Sequence, residues 1–194
     1  HEGIVAGRRL AEAQSPFSLT VVQDTLATTL TLLGRFAEAE ILIGEVESLS
    51  MTFGDRWGWA YHHFKLGILQ LRIGKFDAAR MNIEKTLAIG EEFGDRRLIL
   101  ATSIYLSELA LRSGEPVTAL RLAETAERYS REVGDKSSHT EALLMMGDIL
   151  AARGFPAEAA RRYEEAREEY LIIGNESAAK VAADKLDELQ QPAG

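Results

Sequence analysis

The sequence predicts an all-α solenoid of antiparallel helical hairpins, and three features carry that expectation. Gly34, Gly74, Gly114 and Gly154 recur every 40 residues, each followed five positions later by Ala39, Ala79, Ala119 or Ala159. A second series, Gly54-Asp55, Gly94-Asp95, Gly134-Asp135 and Gly174-Asn175, has the same period. Between the two series lie stretches of about 17 to 19 residues with apolar positions at helical spacing, such as Leu66, Leu69, Ile73 and Leu98, Ala101, Tyr105. Glycine suits the left-handed residue that ends a helix, and an Asp or Asn directly after it can accept the free N–H groups that open the next. The Gly-Asp pair is therefore stop and start in two residues.

The elements follow in order. Gln14-Ser15 stands, by period, where Gly54-Asp55 stands, so residues 1–14 read as the later part of a second helix whose start is missing. The chain then reads as a fragment of a larger protein. Residues 15–53, 54–93, 94–133 and 134–173 form four helical hairpins. In each first helix a small residue, Ala27, Gly67, Ser107 or Gly147, follows a large one, Leu26, Leu66, Leu106 or Met146. A small residue facing an equally small alanine of the second helix lets the two approach closely. Residues 174–194 carry Val181, Ala182, Leu186 and Leu189 against Lys180, Asp184, Lys185, Asp187 and Glu188. Such a helix caps an array by covering its last repeat and turning a polar back to water, and Pro192 stops it. The whole reads as one repeat domain, 1–194.

This arrangement resembles the tetratricopeptide repeat family. The small residue of the first helix, Gly plus an aromatic at the turn (Gly34-Arg35-Phe36, Gly74-Lys75-Phe76) and Ala in the second helix stand in the family's order. Pro116 and Pro156 replace the aromatic in the last two units and suit a first helical turn. Two departures stand out: the period exceeds the usual 34 or so residues, and the family's proline after the second helix gives way to the Gly-Asp junction. The longer form is similar to repeats of bacterial multidomain transcription regulators, response-regulator phosphatases and kinesin light chains. The resemblance implies a right-handed superhelical solenoid whose first helices line a concave protein-binding face.

Composition excludes several classes. With 46% hydrophobic and 27% charged residues in 194, the chain can bury a core. No apolar run reaches the roughly 18 residues of a membrane span, no basic start followed by an apolar stretch suggests a signal peptide, and cysteine is absent. A cytoplasmic setting is expected. A net charge of −8 disfavours direct nucleic-acid binding, which draws on Lys and Arg. His62 and His63 are adjacent on a helix and point apart, His63 toward the hairpin partner, and neither they nor His139 have a carboxylate at metal-motif spacing. Six residues separate Gly67 from Gly74-Lys75, and Phe76 follows, so the phosphate-loop pattern fails. Glu164-Glu165 and Glu168-Glu169 interleave with Arg161, Arg162 and Arg167 as a solvated face. The expectation is no catalytic residue, no metal and no cofactor.

What remains is surface. Trp57, Tyr61, Phe64, Ile68 and Leu71 form one stripe, separate from the His63, Leu66 and Gly67 face that serves the hairpin. Equivalent positions are Ala101, Ile104, Glu108 and Leu111 in the third unit, and Glu141, Leu144, Asp148 and Ala151 in the fourth. The resemblance implies that they face the groove, so the candidate peptide-binding residues are Tyr61, Phe64, Ile68, Leu71, Ile104, Tyr105, Glu108, Glu141, Leu144 and Asp148. Phe64, Ile68, Ile104 and Leu144 equally fit burial between repeats. Residues 1–97 carry net charge −2 and residues 98–194 carry −6, so an apolar partner with Lys or Arg fits. The expected function is a non-catalytic protein-binding module, the sensor or scaffold part of a larger bacterial regulator. The alternative is an architectural domain that dimerises through an apolar N-terminal edge at Ile4, Val5 and Leu10.

Overall fold

The computed structural model describes residues 16–53 and 56–190, and the expected partial helix at 1–14, with its N-terminal edge, lies outside them. Nine helices and no strand occupy the described residues: α1 (Pro16–Leu32), α2 (Phe36–Phe53), α3 (Arg56–Arg72), α4 (Phe76–Phe93), α5 (Arg96–Arg112), α6 (Pro116–Val133), α7 (Lys136–Ala152), α8 (Pro156–Ile172) and α9 (Glu176–Gln190). The fold is the all-α array of helical hairpins that the glycine periods predict. No described helix is long and apolar enough to cross a membrane.

The junction chemistry is as local as the sequence suggests. Gly34, Gly74, Gly94, Gly114, Gly134, Gly154 and Gly174 all have φ between 66° and 80°. At Gly134 the amide donates to Arg131 O and the next amide, Asp135 N, reaches back to Ser130 O at 2.9 Å. This double bond closes the helix end, and the same pair recurs at every one of these glycines. Asp95 then accepts from Arg97 N and Leu98 N, Asp135 from Ser138 N, and Asn175 from Ala178 N. Pro116 and Pro156 open their helices, where a missing N–H costs nothing.

The chain divides into two compact units, 1–89 and 90–194. In the first, Ala27 and Leu30 of α1, Ala39 and Ile43 of α2 and Leu69 of α3 form a buried cluster. Between α3 and α4, Thr86 Oγ1 donates to Ala60 O at 3.0 Å, and His63 Nδ1 lies 2.7 Å from Asn82 Oδ1. Asn82 Nδ2 passes the network to Gln70 Oε1. His63 is thus a hydrogen-bonded core histidine on the helix-pairing face, and His62 is only 1% exposed.

In the second unit the core is a chain of small clusters. Ala110, Ala119, Ala123, Met146 and Ile149 form one, and Leu143, Ala166, Tyr170 and Ala179 carry it to α9. Each fully buried Leu or Ile here contributes about 1.5–3 kcal/mol of transfer free energy. On α9, Ala179, Ala182 and Leu186 are buried while Lys180 and Asp184 pair in solvent.

Close approach within hairpins combines the expected facing of small residues with a match to one larger neighbour. The alanines at 39, 79, 119 and 159 are fully buried, as their pattern suggests. At Gly67 the Cβ position lies 3.2 Å from Ala79 O, and at both Gly67 and Gly147 the single nearest atom belongs to a larger residue. A Cβ on Gly67 would lie 2.5 Å from Ile83 Cγ1, and one on Gly147 only 2.3 Å from the Tyr163 ring. Ser107, at the same repeat position, donates its hydroxyl to Ala119 O at 2.8 Å.

Candidate functional site

The second unit holds a cavity of about 230 Å³ between α5 and α7, the first helices of consecutive hairpins. Leu100, Ala101 and Ile104 of α5 supply its apolar lining, with Tyr105 beside them. Arg97 stands at one side, and Asp135, Ser138 and Glu141 supply the other. Leu100 and Ile104 also pack on Ala126 and Ala142, so the lining is part of the core and holds its shape. Asp135 is held from two directions: Oδ1 accepts from Ser138 N at 3.0 Å and Oδ2 from Ser138 Oγ at 2.9 Å. The backbone bond from Ser138 is the largest influence holding its carboxyl below the usual range, against a smaller opposing effect of burial, and Arg97 adds to the lowering.

Of the residues expected at a groove, Ile104, Tyr105 and Glu141 meet in this cavity. The others fall elsewhere. Glu108 pairs with Arg112 at 2.8 Å, one helical turn on. Leu144 is half-buried against Tyr163, Tyr170 and their neighbours. Asp148 accepts from the Tyr163 hydroxyl and from Lys185 Nζ, both at 2.7 Å, so its charge is spent joining α7, α8 and α9. Burial, with Asp148 next, drives the Tyr163 phenol far above its ordinary pKa. In the first unit Tyr61 is 42% exposed and lies 6.5 Å from Trp57 ring to ring, Phe64 and Ile68 are half-buried, and Leu71 is fully buried. Leu71 and Ile104, at 0% and 6% exposure, are core residues of the free chain. A first helix of these long repeats buries more of its circumference than one partner helix requires.

Arg97, Leu100, Asp135 and Ser138 escaped sequence reasoning. Arg97 carries a signal in hindsight, because it occupies the repeat position of Trp57, at the head of the aromatic stripe. Asp135 was legible only as a helix cap, and its second use depends on α5 lying beside it.

One constellation resembles a catalytic relay and is not one. Ser130 Oγ lies 3.2 Å from His139 Nδ1, and His139 Nε2 lies 3.4 Å from Glu169 Oε1. The serine is 1% exposed and gives its proton to Glu127 O at 2.7 Å, so no substrate carbonyl reaches it. The three side chains staple α6, α7 and α8 together. No cluster of three potential metal-binding side chains occurs among the described residues.

Comparison with known proteins bears on the fold. Residues 100–125 match the tetratricopeptide repeat family. No curated protein sequence matches the chain. Among solved structures the chain is similar to a Signal Transduction ATPase with Numerous Domains from Pyrococcus horikoshii that carries a tetratricopeptide repeat sensor, at 15% identity and a TM-score of 0.78. That match covers 90% of this chain and 27% of the other, so the chain spans about a quarter of that protein. It is also similar to BtubC from P. vanneervenii, at 15% identity and a TM-score of 0.71 over 98% and 90% of the two chains. A thermophilic tetratricopeptide repeat protein of Thermus thermophilus matches at 20% identity and a TM-score of 0.54, over 88% and 91%.

Proposed function

We propose that this tetratricopeptide repeat protein is a non-catalytic protein-binding module, and that the face formed by α5 and α7 receives a peptide segment of its partner. The observation that carries the reading is the cavity between those helices, with an apolar lining from one helix and carboxylates from the other. Repeats of this family serve protein–protein interaction. The likeness in fold to a protein with a repeat sensor fits a role as sensor or scaffold within a larger regulator; that this regulator is bacterial, of the transcription-regulating kind, and works in the cytoplasm belongs to the same proposal. The fitting partner is apolar with Lys or Arg, and the net charge of −8 disfavours nucleic acid as a partner. Tyr61, Phe64 and Ile68 extend the reading as apolar contacts of the first unit.

The test is selection of binders from a random peptide library displayed on phage, using the full chain as bait. Peptides that bind wild type and fail to bind Ala101→Arg, a change that fills the cavity, are the expected result. Failure to select any peptide sinks the reading.

Self-association is the second reading, and a different observation favours it. Leu32, Leu33 and Ile41 of the first hairpin are 81%, 66% and 65% exposed, apolar side chains that a second copy could cover. A dimer by sedimentation velocity that Leu32→Glu with Ile41→Glu dissociates would establish it.

A further inference from the structure

We propose that the cavity between α5 and α7 receives a single lysine or arginine side chain of the bound peptide, its aliphatic stem on Leu100, Ala101 and Ile104 and its cationic end between Asp135 and Glu141. The inference rests on the peptide-binding reading above and gives it a chemistry.

Size comes first. A volume of about 230 Å³ falls below the roughly 300–1,000 Å³ of pockets that enclose whole small molecules. It suits one long side chain entering from a backbone that stays outside. The division of the lining then sets which side chain. An apolar lining from α5 facing carboxylates from α7 and its N-cap matches a residue with a methylene stem and a charged tip, the combination Lys and Arg possess. Two carboxylates against the Arg97 guanidinium leave the lining with net charge −1, which rejects Asp and Glu tips.

Asp135 is suited to the task because Ser138 fixes its orientation with two hydrogen bonds. Ser138 occupies one lone pair on each carboxylate oxygen, and each oxygen retains another for a ligand N–H. The same two bonds keep the group ionised, so no proton has to leave when a cation arrives. Glu141 is the exposed member of the pair. Arg97 competes for the same carboxylate charge and so limits how tightly a cation is held.

The experiment takes the peptide selected on the full chain, made synthetically with its basic residue or with norleucine in its place, and measures Kd by isothermal titration. The norleucine peptide is expected to bind wild type at least tenfold more weakly. Glu141→Gln should narrow the difference between the two peptides, Asp135 still holding part of the charge, and Arg97→Ala should favour the basic peptide several-fold more than wild type does. Asp135→Asn, which retains the cap, provides a second variant, and circular dichroism confirms helicity for each. Selected peptides that share no basic position, or a norleucine peptide that binds wild type equally well, would overturn the inference while leaving peptide binding standing. If no peptide is selected, both fall.

Discussion

At the scale of single residues, Gly67 and Gly147 occupy the same repeat position but meet different neighbours. Gly147→Ala drives a methyl group into the Tyr163 ring, which is held by Asp148 and by its own burial. Ala is the better helix former by about 1 kcal/mol, but overpacking a rigid site costs roughly 1–3 kcal/mol, so the variant should lose stability in urea denaturation. Gly44, with nothing near its Cβ position and an exposed place in α2, should behave oppositely. Gly44→Ala is expected to gain about 0.5–1 kcal/mol in the same assay. Acidic residues divide in the same way. Glu108→Lys sets a like charge against Arg112 within one helix and should cost about 1 kcal/mol or less, whereas Asp148→Lys, at a contact joining three helices, puts a cation against Lys185 and strands the Tyr163 hydroxyl. A loss of about 1–3 kcal/mol is expected there, read as a lower urea midpoint at constant slope.

At the scale of elements, the junctions at 94–95, 134–135 and 174–175 couple a left-handed glycine to a side-chain cap, and Asp135 is the member whose chemistry is most exposed to test. Its carboxyl is held below the ordinary value of about 3.9, so ionisation favours the folded state. That contribution is present above the unfolded pKa and disappears as pH falls through the folded one. Asp135→Ala should cost about 1 kcal/mol at pH 7, and its melting temperature should converge on that of wild type as pH drops below about 4. These junctions were legible because glycine, aspartate and the 40-residue spacing act within a few residues of one another. The site was less so. Ile104, Tyr105 and Glu141 could be placed on one side of the first helices by repeat position alone. The Asp148–Lys185 contact spans 37 residues and depends on how α9 lies across α7, which no local pattern encodes. Leu71 and Ile104 illustrate the same limit, since a helical stripe identifies a face without saying whether another repeat covers it.

At the scale of the whole molecule, coupling between helices is short-ranged. Repeat arrays lose cooperativity with distance because each unit contacts only its neighbours. Ile149→Ala, at a fully buried site shared with Ala110, Ala119 and Ala123, should cost about 2–5 kcal/mol. Amide hydrogen exchange should accelerate within 90–194 and stay near wild-type rates in α1–α3. The size matching inside each hairpin has a further consequence for how such an array can be rearranged. Gly147 faces Tyr163, whereas Ser107 stands by period opposite Ala123. Recombination that joined α5 to α8 would aim the Ser107 side chain at the Tyr163 ring, where even a bare methyl at 147 comes within 2.3 Å. A crossover at a Gly-Asp junction moves both matched helices together and keeps their fit. The tolerated breakpoints for duplication, deletion or grafting in this chain therefore fall at one of its two kinds of turn, and the inheritable unit is the helix pair.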